Sequence, residues 1–304
     1  MSLESESIKA QLESVGYVVV PDLIPPHLDL PLNEACLRAA ERTRIGNWPH
    51  RRIVGKQFPP FEGDETDVWG VQHLMHPELG EPVFAEWYGS QRLREVCCEL
   101  LDCQPENLQM ELFNLLVNPS QKPFALRWHR DDIPTSVDRT EELARLEISS
   151  FGVQWNTALL PDSSLYVVPG THKVALTPPQ RALCTPFAPK NPLDMPGAIK
   201  VSLQPGETVF YNNNILHCAT YDNSIPRMTL HACMGDTRGG ENRARNILQH
   251  DLRWIKTPHM ARMLEVLDQK DGGIRSQMVQ RLIQLADATA GEDGSRSLGY
   301  SLEG

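Results

Sequence analysis

Cysteine is sparse and unpaired in this chain. The seven residues Cys36, Cys97, Cys98, Cys103, Cys184, Cys218 and Cys233 are odd in number and contain no C-x-x-C pair. That pattern excludes a disulfide framework and a structural zinc knuckle, and it implies reduced thiols in a cytoplasmic protein. No apolar run approaches about 18 residues, so no transmembrane helix is expected. The start, Met1 to Ser7, is acidic and lacks the basic and apolar regions of a secretory signal, and the end, Ser301 to Gly304, is not a peroxisomal address. Positive charge is also short: 29 Lys and Arg stand against 39 Asp and Glu, a formal charge of -10. This argues against a nucleic-acid surface. Neither G-x-S-x-G nor G-x-G-x-x-G occurs, so a hydrolase elbow and a dinucleotide fingerprint have no support. The expected partners are a small-molecule substrate and, at most, a second copy of the chain as a homodimer.

The 304 residues are enough for a sizeable core, and no linker or internal repeat divides them. One domain is expected over residues 1–304, with a β core at about 105–236, a helical and irregular part at 1–104 and a helical extension at about 240–304. Ile8 and Leu12, followed by Gly16, predict a short amphipathic helix, and Tyr17 to Val20 a strand. Pro25-Pro26 opens a second helix that Pro31 perturbs. Residues 43–80 read as a long irregular segment, of the kind that often covers a pocket. Leu93, Val96, Cys97, Leu100 and Leu101 form one helical face over 90–102. From about residue 109 the texture turns to strands: 108–117, 124–128, 148–160, 165–168, 198–203, 208–211 and 227–234. Turn chemistry such as Gln204-Pro205-Gly206 and Asn212-Asn213-Asn214 separates some of them. A Pro-rich insertion without periodicity occupies 177–197. Short strands so spaced predict an antiparallel sandwich or barrel. Ile274, Met278, Leu282 and Leu285 mark a late helix, and the Gly/Ser-rich tail after Gly291 is expected to fray.

The chemistry centres on Trp128-His129-Arg130-Asp131-Asp132. Side chains two apart on an extended chain share a face, so His129 and Asp131 can converge on one cation. Alone, the tripeptide is weak evidence, since such spacings arise often by chance, and it reads rather as an exposed loop with a salt bridge to Arg130. His217, in Asn214-Ile215-Leu216-His217, would complete a 2-His-1-carboxylate set of the kind that holds non-haem Fe(II) and leaves positions open. Arg227 follows ten residues later, with Thr229 on the same face. A guanidinium fork suits the far carboxylate of a dicarboxylic keto acid, and Thr229 adds a hydroxyl donor. Other polar residues compete poorly. Asp132 points to the opposite face, His172 reads as a turn residue, His231 as a core histidine, and Cys218 points away from His217.

The ordered set of His129, Asp131, His217 and Arg227 resembles the phytanoyl-CoA dioxygenase family of Fe(II)/2-oxoglutarate-dependent oxygenases. Trp155 to Asp162 is similar to its W-x-A-L-x-D. Ser164 to Lys173 is similar to its N-G-x-L-x-V-x-P-G-S-H-K block, with Ser164 in place of a glycine. Leu203 to Tyr211 resembles its G-D-x-x-x-F segment, and Gly16 to Asp22 its G-Y-x-V-V. The likeness spans roughly residues 8–250. It implies a double-stranded β-helix, or cupin-like jelly roll, mainly β with flanking helices. It further implies Fe(II) on His129, Asp131 and His217, with 2-oxoglutarate and O2 as co-substrates. Arg227 would then bind the C5 carboxylate, with Thr229, Trp155, Asn114 and Gln72 as further co-substrate contacts. The implied reaction is oxidation, chiefly hydroxylation, of a small organic molecule. Retention of Asp131 argues against halogenation, because a halide needs that coordination position. A catalytically silent jelly-roll binding or scaffold protein is the alternative.

Overall fold

The computed structural model describes residues 7–56, 67–248, 250, 252–270 and 272–289. The tail after Gly291 and part of the 43–80 segment lie outside these residues. In chain order the elements are α1 (Ile8–Val15), β1 (Tyr17–Val20), α2 (Pro26–Arg44), β2 (Arg51–Ile53), β3 (Val68–Val71), α3 (Val83–Tyr88) and α4 (Gln91–Leu101). There follow β4 (Leu108–Val117), β5 (Phe124–Ala125), α5 (Arg139–Leu146), β6 (Gly152–Ala158), β7 (Leu165–Val168), α6 (Pro178–Leu183) and β8 (Ile199–Lys200). The last are β9 (Thr208–Tyr211), β10 (Leu216–Tyr221), β11 (Met228–Asp236), α7 (Gly240–Leu248), α8 (Pro258–Leu267) and α9 (Ile274–Thr289).

Local chemistry explains the boundaries. Ser7 caps α1 by accepting a hydrogen bond from the Ala10 amide at 3.1 Å, and Gly16 ends it at φ +88°. Pro26 starts α2 where no amide donor is needed, and the helix continues through Pro31 instead of breaking there. Leu93, Val96, Cys97 and Leu100 form the buried stripe of α4.

Two antiparallel sheets make a double-stranded β-helix. The larger has the order β1-β9-β6-β11-β4-β3-β2, and the smaller β5-β10-β7-β8. Residues 51–53 and 68–71 are therefore strands, which corrects the reading of 43–80 as wholly irregular. The segment hid them because β2 is only three residues long and carries charge. The Pro-rich insertion likewise holds a short helix, α6, opened by a capping box between Thr177 and Gln180.

The period-two alternation sorts the large sheet into two faces. Phe113 and Leu115 of β4, Val153 and Trp155 of β6, Phe210 of β9, and Leu230 and Ala232 of β11 point outward and join the helices in the main core. The other face meets the small sheet. There Ala158, Val209 and Tyr211 pack with Leu165 and Val167, and Trp69 and Leu116 pack with Ala219 and Tyr221. No helix among the described residues is long and apolar enough to cross a membrane.

One buried ion pair ties the C-terminal helices to the sheet. The Arg243 guanidinium of α7 holds the Glu111 carboxylate of β4, both almost fully buried. Gln109 donates a further hydrogen bond to Glu111 at 3.0 Å. The pair fits only because Gly152 and Gly235 face each other in register on β6 and β11. A Cβ on Gly152 would strike Arg243, and one on Gly235 would strike Glu111. Replacing Arg243 with Met leaves Glu111 buried without its partner, so urea unfolding is expected to register a loss of about 3–5 kcal/mol. A change under about 1 kcal/mol would refute this role for the pair.

Candidate metal centre

A pair of backbone hydrogen bonds builds the site. His129 and His217 lie opposite each other in an antiparallel bridge: each amide donates to the other's carbonyl at 3.0 Å. Residues so paired present their side chains on one side, and the two imidazole rings lie 4.3 Å apart, centroid to centroid. Asp131, two residues on, is held by its amide donating to the Asn213 carbonyl at 2.9 Å. Its Oδ1 stands 3.6 Å from His129 Nε2 and 3.8 Å from His217 Nε2. His217 is buried, His129 half-buried and Asp131 exposed, so the cluster opens toward solvent on the carboxylate side.

The donor chemistry suits a divalent cation. The Nδ1–H of His129 donates to the Arg127 carbonyl at 2.8 Å, and that of His217 to the Ile215 carbonyl at 2.9 Å. A carbonyl only accepts, so Nδ1 carries a proton in each ring and Nε2 is the atom whose lone pair the neutral ring offers to the cluster. Burial, reinforced by His217, pushes His129 down to about 4, which keeps it neutral at pH 7. One ligand atom from each residue lies within 4.8 Å of the others. Two donors on one ion at about 2.1 Å cannot be more than about 4.2 Å apart, and both separations from Asp131 meet that limit.

Two supporting residues were not singled out from the sequence. Gln154 of β6 donates its amide to Asp131 Oδ2, leaving Oδ1 facing the two imidazoles. It lies on the inner face, one residue from the outward Trp155. Asp162 lies in the segment matched to W-x-A-L-x-D, where no role was assigned to it. It accepts from the Arg227 Nε–H at 3.0 Å and from the Thr229 hydroxyl at 2.6 Å. Burial pushes the Asp162 carboxyl up, but Arg227, Thr229 and Ser164 outweigh it and hold it below the usual carboxylate range. Arg227 also lies over the Tyr221 ring at 4.6 Å, and its buried Nη1 has no hydrogen-bond partner among the described residues. The Nε–H of this guanidinium is therefore satisfied and Nη1 is not.

The remaining sequence-derived residues divide. Asn114 of β4 is buried on the inner face opposite His231; its Oδ1 accepts from the His73 amide at 3.3 Å, and its Nδ2 has no partner among the described residues. Gln72 is buried just after β3, and His73 beside it takes φ +60°. Trp155 is not brought to the site. It faces the outer core, 5.9 Å from the Tyr88 ring and 5.6 Å from Phe210. Because strand parity alternates, its neighbours Gln154 and Asn156 face inward instead. His231, read as a core histidine, faces this same interior: it hydrogen-bonds Asn156 Oδ1 at 2.9 Å, and its electrostatic neighbours include Asp131, Arg227 and His217.

Arg130 makes no salt bridge to Asp131 or Asp132. It turns away, buried, to Glu142 of α5 at 3.2 Å, and donates to the carbonyls of Thr171 and Val174 at 2.8 and 2.9 Å. His172 sits against Gly16 and bonds the Glu13 carbonyl at 3.1 Å, as a structural turn residue. Cys218 packs with Trp128, Tyr166 and Leu216, away from the cluster.

No protein-family model and no curated protein matches the chain. Solved structures do. EctD from S. alaskensis with 2-oxoglutarate and 5-hydroxyectoine aligns at a TM-score of 0.54 and 16% identity, over 76% of this chain and 75% of that one. AviO1 from Streptomyces viridochromogenes Tue57 aligns at 0.53 and 14%, over 78% and 96%. The epimerase SnoN in complex with Fe3+, alpha ketoglutarate and nogalamycin RO aligns at 0.50 and 16%, over 76% and 82%. The chain shares their fold. This is the double-stranded β-helix that the phytanoyl-CoA dioxygenase resemblance implied.

Two outcomes follow from this geometry. Gln154→Ala frees Asp131 to rotate and is expected to weaken Mn(II) affinity about 10- to 100-fold in a calorimetric titration. An unchanged affinity would remove Gln154 from the site. Acid is expected to unfold the metal-free protein early. His129 and His231, at about 4 and about 3, bind protons in the folded state only well below the ordinary histidine value of 6.5. The unfolded chain takes them up first, so stability is retained above about pH 6.5 and falls as pH drops toward 4. His231→Asn should flatten that slope in pH-dependent thermal unfolding; an identical slope would contradict the assignment.

Proposed function

We propose that the protein is an Fe(II)/2-oxoglutarate-dependent oxygenase that oxidises, most simply hydroxylates, a small organic molecule. The observation that carries this reading is the inward-facing set of two imidazole Nε2 atoms and one carboxylate oxygen, with Arg227 and Thr229 in the same interior. Relatives of this fold have been solved with Fe and with 2-oxoglutarate bound.

In this reading His129, Asp131 and His217 would hold the iron as a 2-His-1-carboxylate set, which supplies fewer ligands than iron accepts. Bound iron and 2-oxoglutarate supply the oxidising chemistry, with O2 consumed and succinate and CO2 released. The chain's own part is placement. Its backbone bridge fixes the two histidines, and Gln154 fixes the carboxylate. Arg227 offers its open Nη1 to the far carboxylate of 2-oxoglutarate, and Asp162 keeps that guanidinium oriented by occupying its Nε–H. Thr229 donates to Asp162 in this structure, so its part is to steady that pair. The apolar contacts between the sheets, Ala158 with Val167 and Leu116 with Tyr221, keep water from the interior. The epimerase SnoN shares this scaffold, so the outcome depends on where the substrate C–H bond is held.

Oxygen-dependent succinate formation from 2-oxoglutarate by the Fe(II)-loaded protein tests the reading. His129→Ala should abolish it. Arg227→Gln should weaken 2-oxoglutarate binding about 10- to 100-fold, as expected for a lost charge-assisted hydrogen bond. An iron-loaded sample that turns over no 2-oxoglutarate, with or without candidate organic substrates, would sink the oxygenase assignment and favour a silent binding protein.

A further inference from the structure

Arg52 is a buried arginine that no carboxylate among the described residues pairs directly. It lies on β2, only 8% exposed, and among the described residues it forms neither a hydrogen bond nor an ion pair; its buried Nε has no hydrogen-bond partner there. Its guanidinium lies over the face of Trp69, 5.3 Å from the ring centroid. A buried guanidinium left in this state is costly unless a ligand completes it.

The sheet explains where it points. Arg52 pairs with Gly70 on β3, and Gly70 pairs in turn with Leu116 on β4. Leu116 pairs with Thr229 on β11, so this row lies on the inner face. Gly70 has no side chain, and the Arg52 stem lies across it: a Cβ there would sit 3.2 Å from Arg52 Cβ and Cδ. The arginine is thus laid over a gap in the sheet surface. Its electrostatic neighbours are Tyr221, Tyr211, Asp131 and Cys233. Tyr221 also underlies Arg227, while Asp131 and Tyr211 belong to the metal end, Tyr211 lying 5.4 Å from the His217 ring.

Charge balance indicates what completes it. Asp162 already neutralises Arg227. Asp131 and Arg52 then cancel as formal charges, and a divalent ion on the histidines and Asp131 leaves two positive charges uncompensated. A dianion restores neutrality, whereas without Arg52 it would leave the interior negative.

Resting on the co-substrate reading above, we propose that Arg52 is a second guanidinium of the 2-oxoglutarate site, holding the carboxylate nearer the metal while Arg227 holds the far one. The two arginines then grip a dicarboxylate from different strands, β2 and the start of β11. This gives the short N-terminal hairpin β2–β3 a binding role beyond extending the sheet.

The test uses the full chain loaded with Mn(II) and calorimetric titration with two probes. 2-Oxoglutarate carries both carboxylates, and 2-oxobutyrate carries only the one beside the keto group. Arg52→Gln is expected to weaken both by about tenfold. Arg227→Gln is expected to weaken 2-oxoglutarate alone, to the level of 2-oxobutyrate. Arg52→Lys should recover part of the loss, because it keeps the charge. Should Arg52→Gln fail to fold, Arg52→Met preserves the stem over Gly70 and Trp69 and gives the same comparison. Unchanged affinity for both probes in the Arg52 variant, with normal wild-type binding, would overturn this inference and leave the oxygenase reading standing. Weakening of 2-oxoglutarate alone would overturn the near-carboxylate assignment. Wild-type protein that binds Mn(II) but neither probe would overturn the co-substrate reading and this inference with it.

Discussion

The two backbone hydrogen bonds between His129 and His217 are the constraint on which the site depends. They join β10 to the segment after β5, and they fix which faces of the two chains meet. Slipping this pairing by one residue would turn one imidazole to the other side. Each ring is then held from behind by a carbonyl two residues earlier, at Arg127 and at Ile215. Position, ring orientation and tautomer thus all derive from main-chain geometry, which side-chain substitutions elsewhere disturb little. The carboxylate is the less constrained member. Its Oδ2 depends on the Gln154 side chain, and its exposure exceeds that of either histidine.

Much of this was legible in the residues, for definite physical reasons. The strands at 108–117, 165–168 and 208–211 carry β-branched and aromatic residues between turn formers, and they form at those positions. The H-x-D spacing states its own parity, so the convergence of His129 and Asp131 followed from a period of two. Other features were hidden because their signals are non-local. β2 holds three residues and only becomes a strand by pairing with β3. The Asp162–Arg227 pair joins residues 65 apart in sequence. Nothing in the local pattern around Asp162 announces it.

Trp155 shows the limit of motif matching. The W-x-A-L-x-D likeness lies on β6, but the likeness alone does not say which face each residue takes. Register does. Trp155 pairs with Phe210 and Ala232, both in the main outer core, so the indole is a packing residue. Gln154 and Asn156, polar and flanking it, occupy the inner face. A strand that is buried on both sides gives no hydrophobic alternation to read, and β6 is buried at all seven positions. Polarity within the run is the remaining clue.

The same division explains how one sheet serves stability and chemistry at once. On the outer face, large apolar side chains meet the helices, and the buried ion pair of Arg243 with Glu111 is matched in charge and accommodated by paired glycines. On the inner face the polar groups are incompletely matched: Arg52 Nε, Asn114 Nδ2 and Arg227 Nη1 all lack hydrogen-bond partners among the described residues. Unsatisfied buried donors are rare in native proteins because each costs free energy. Three of them within one interior, beside a metal-competent cluster and without any acceptor of their own, would be selected against unless a ligand rich in acceptor oxygens restores the balance. The outer face leaves a neutral indole donor, Trp155 Nε1, open as well, but it matches its buried charge internally, so the open guanidinium donors inside mark the face suited to a ligand.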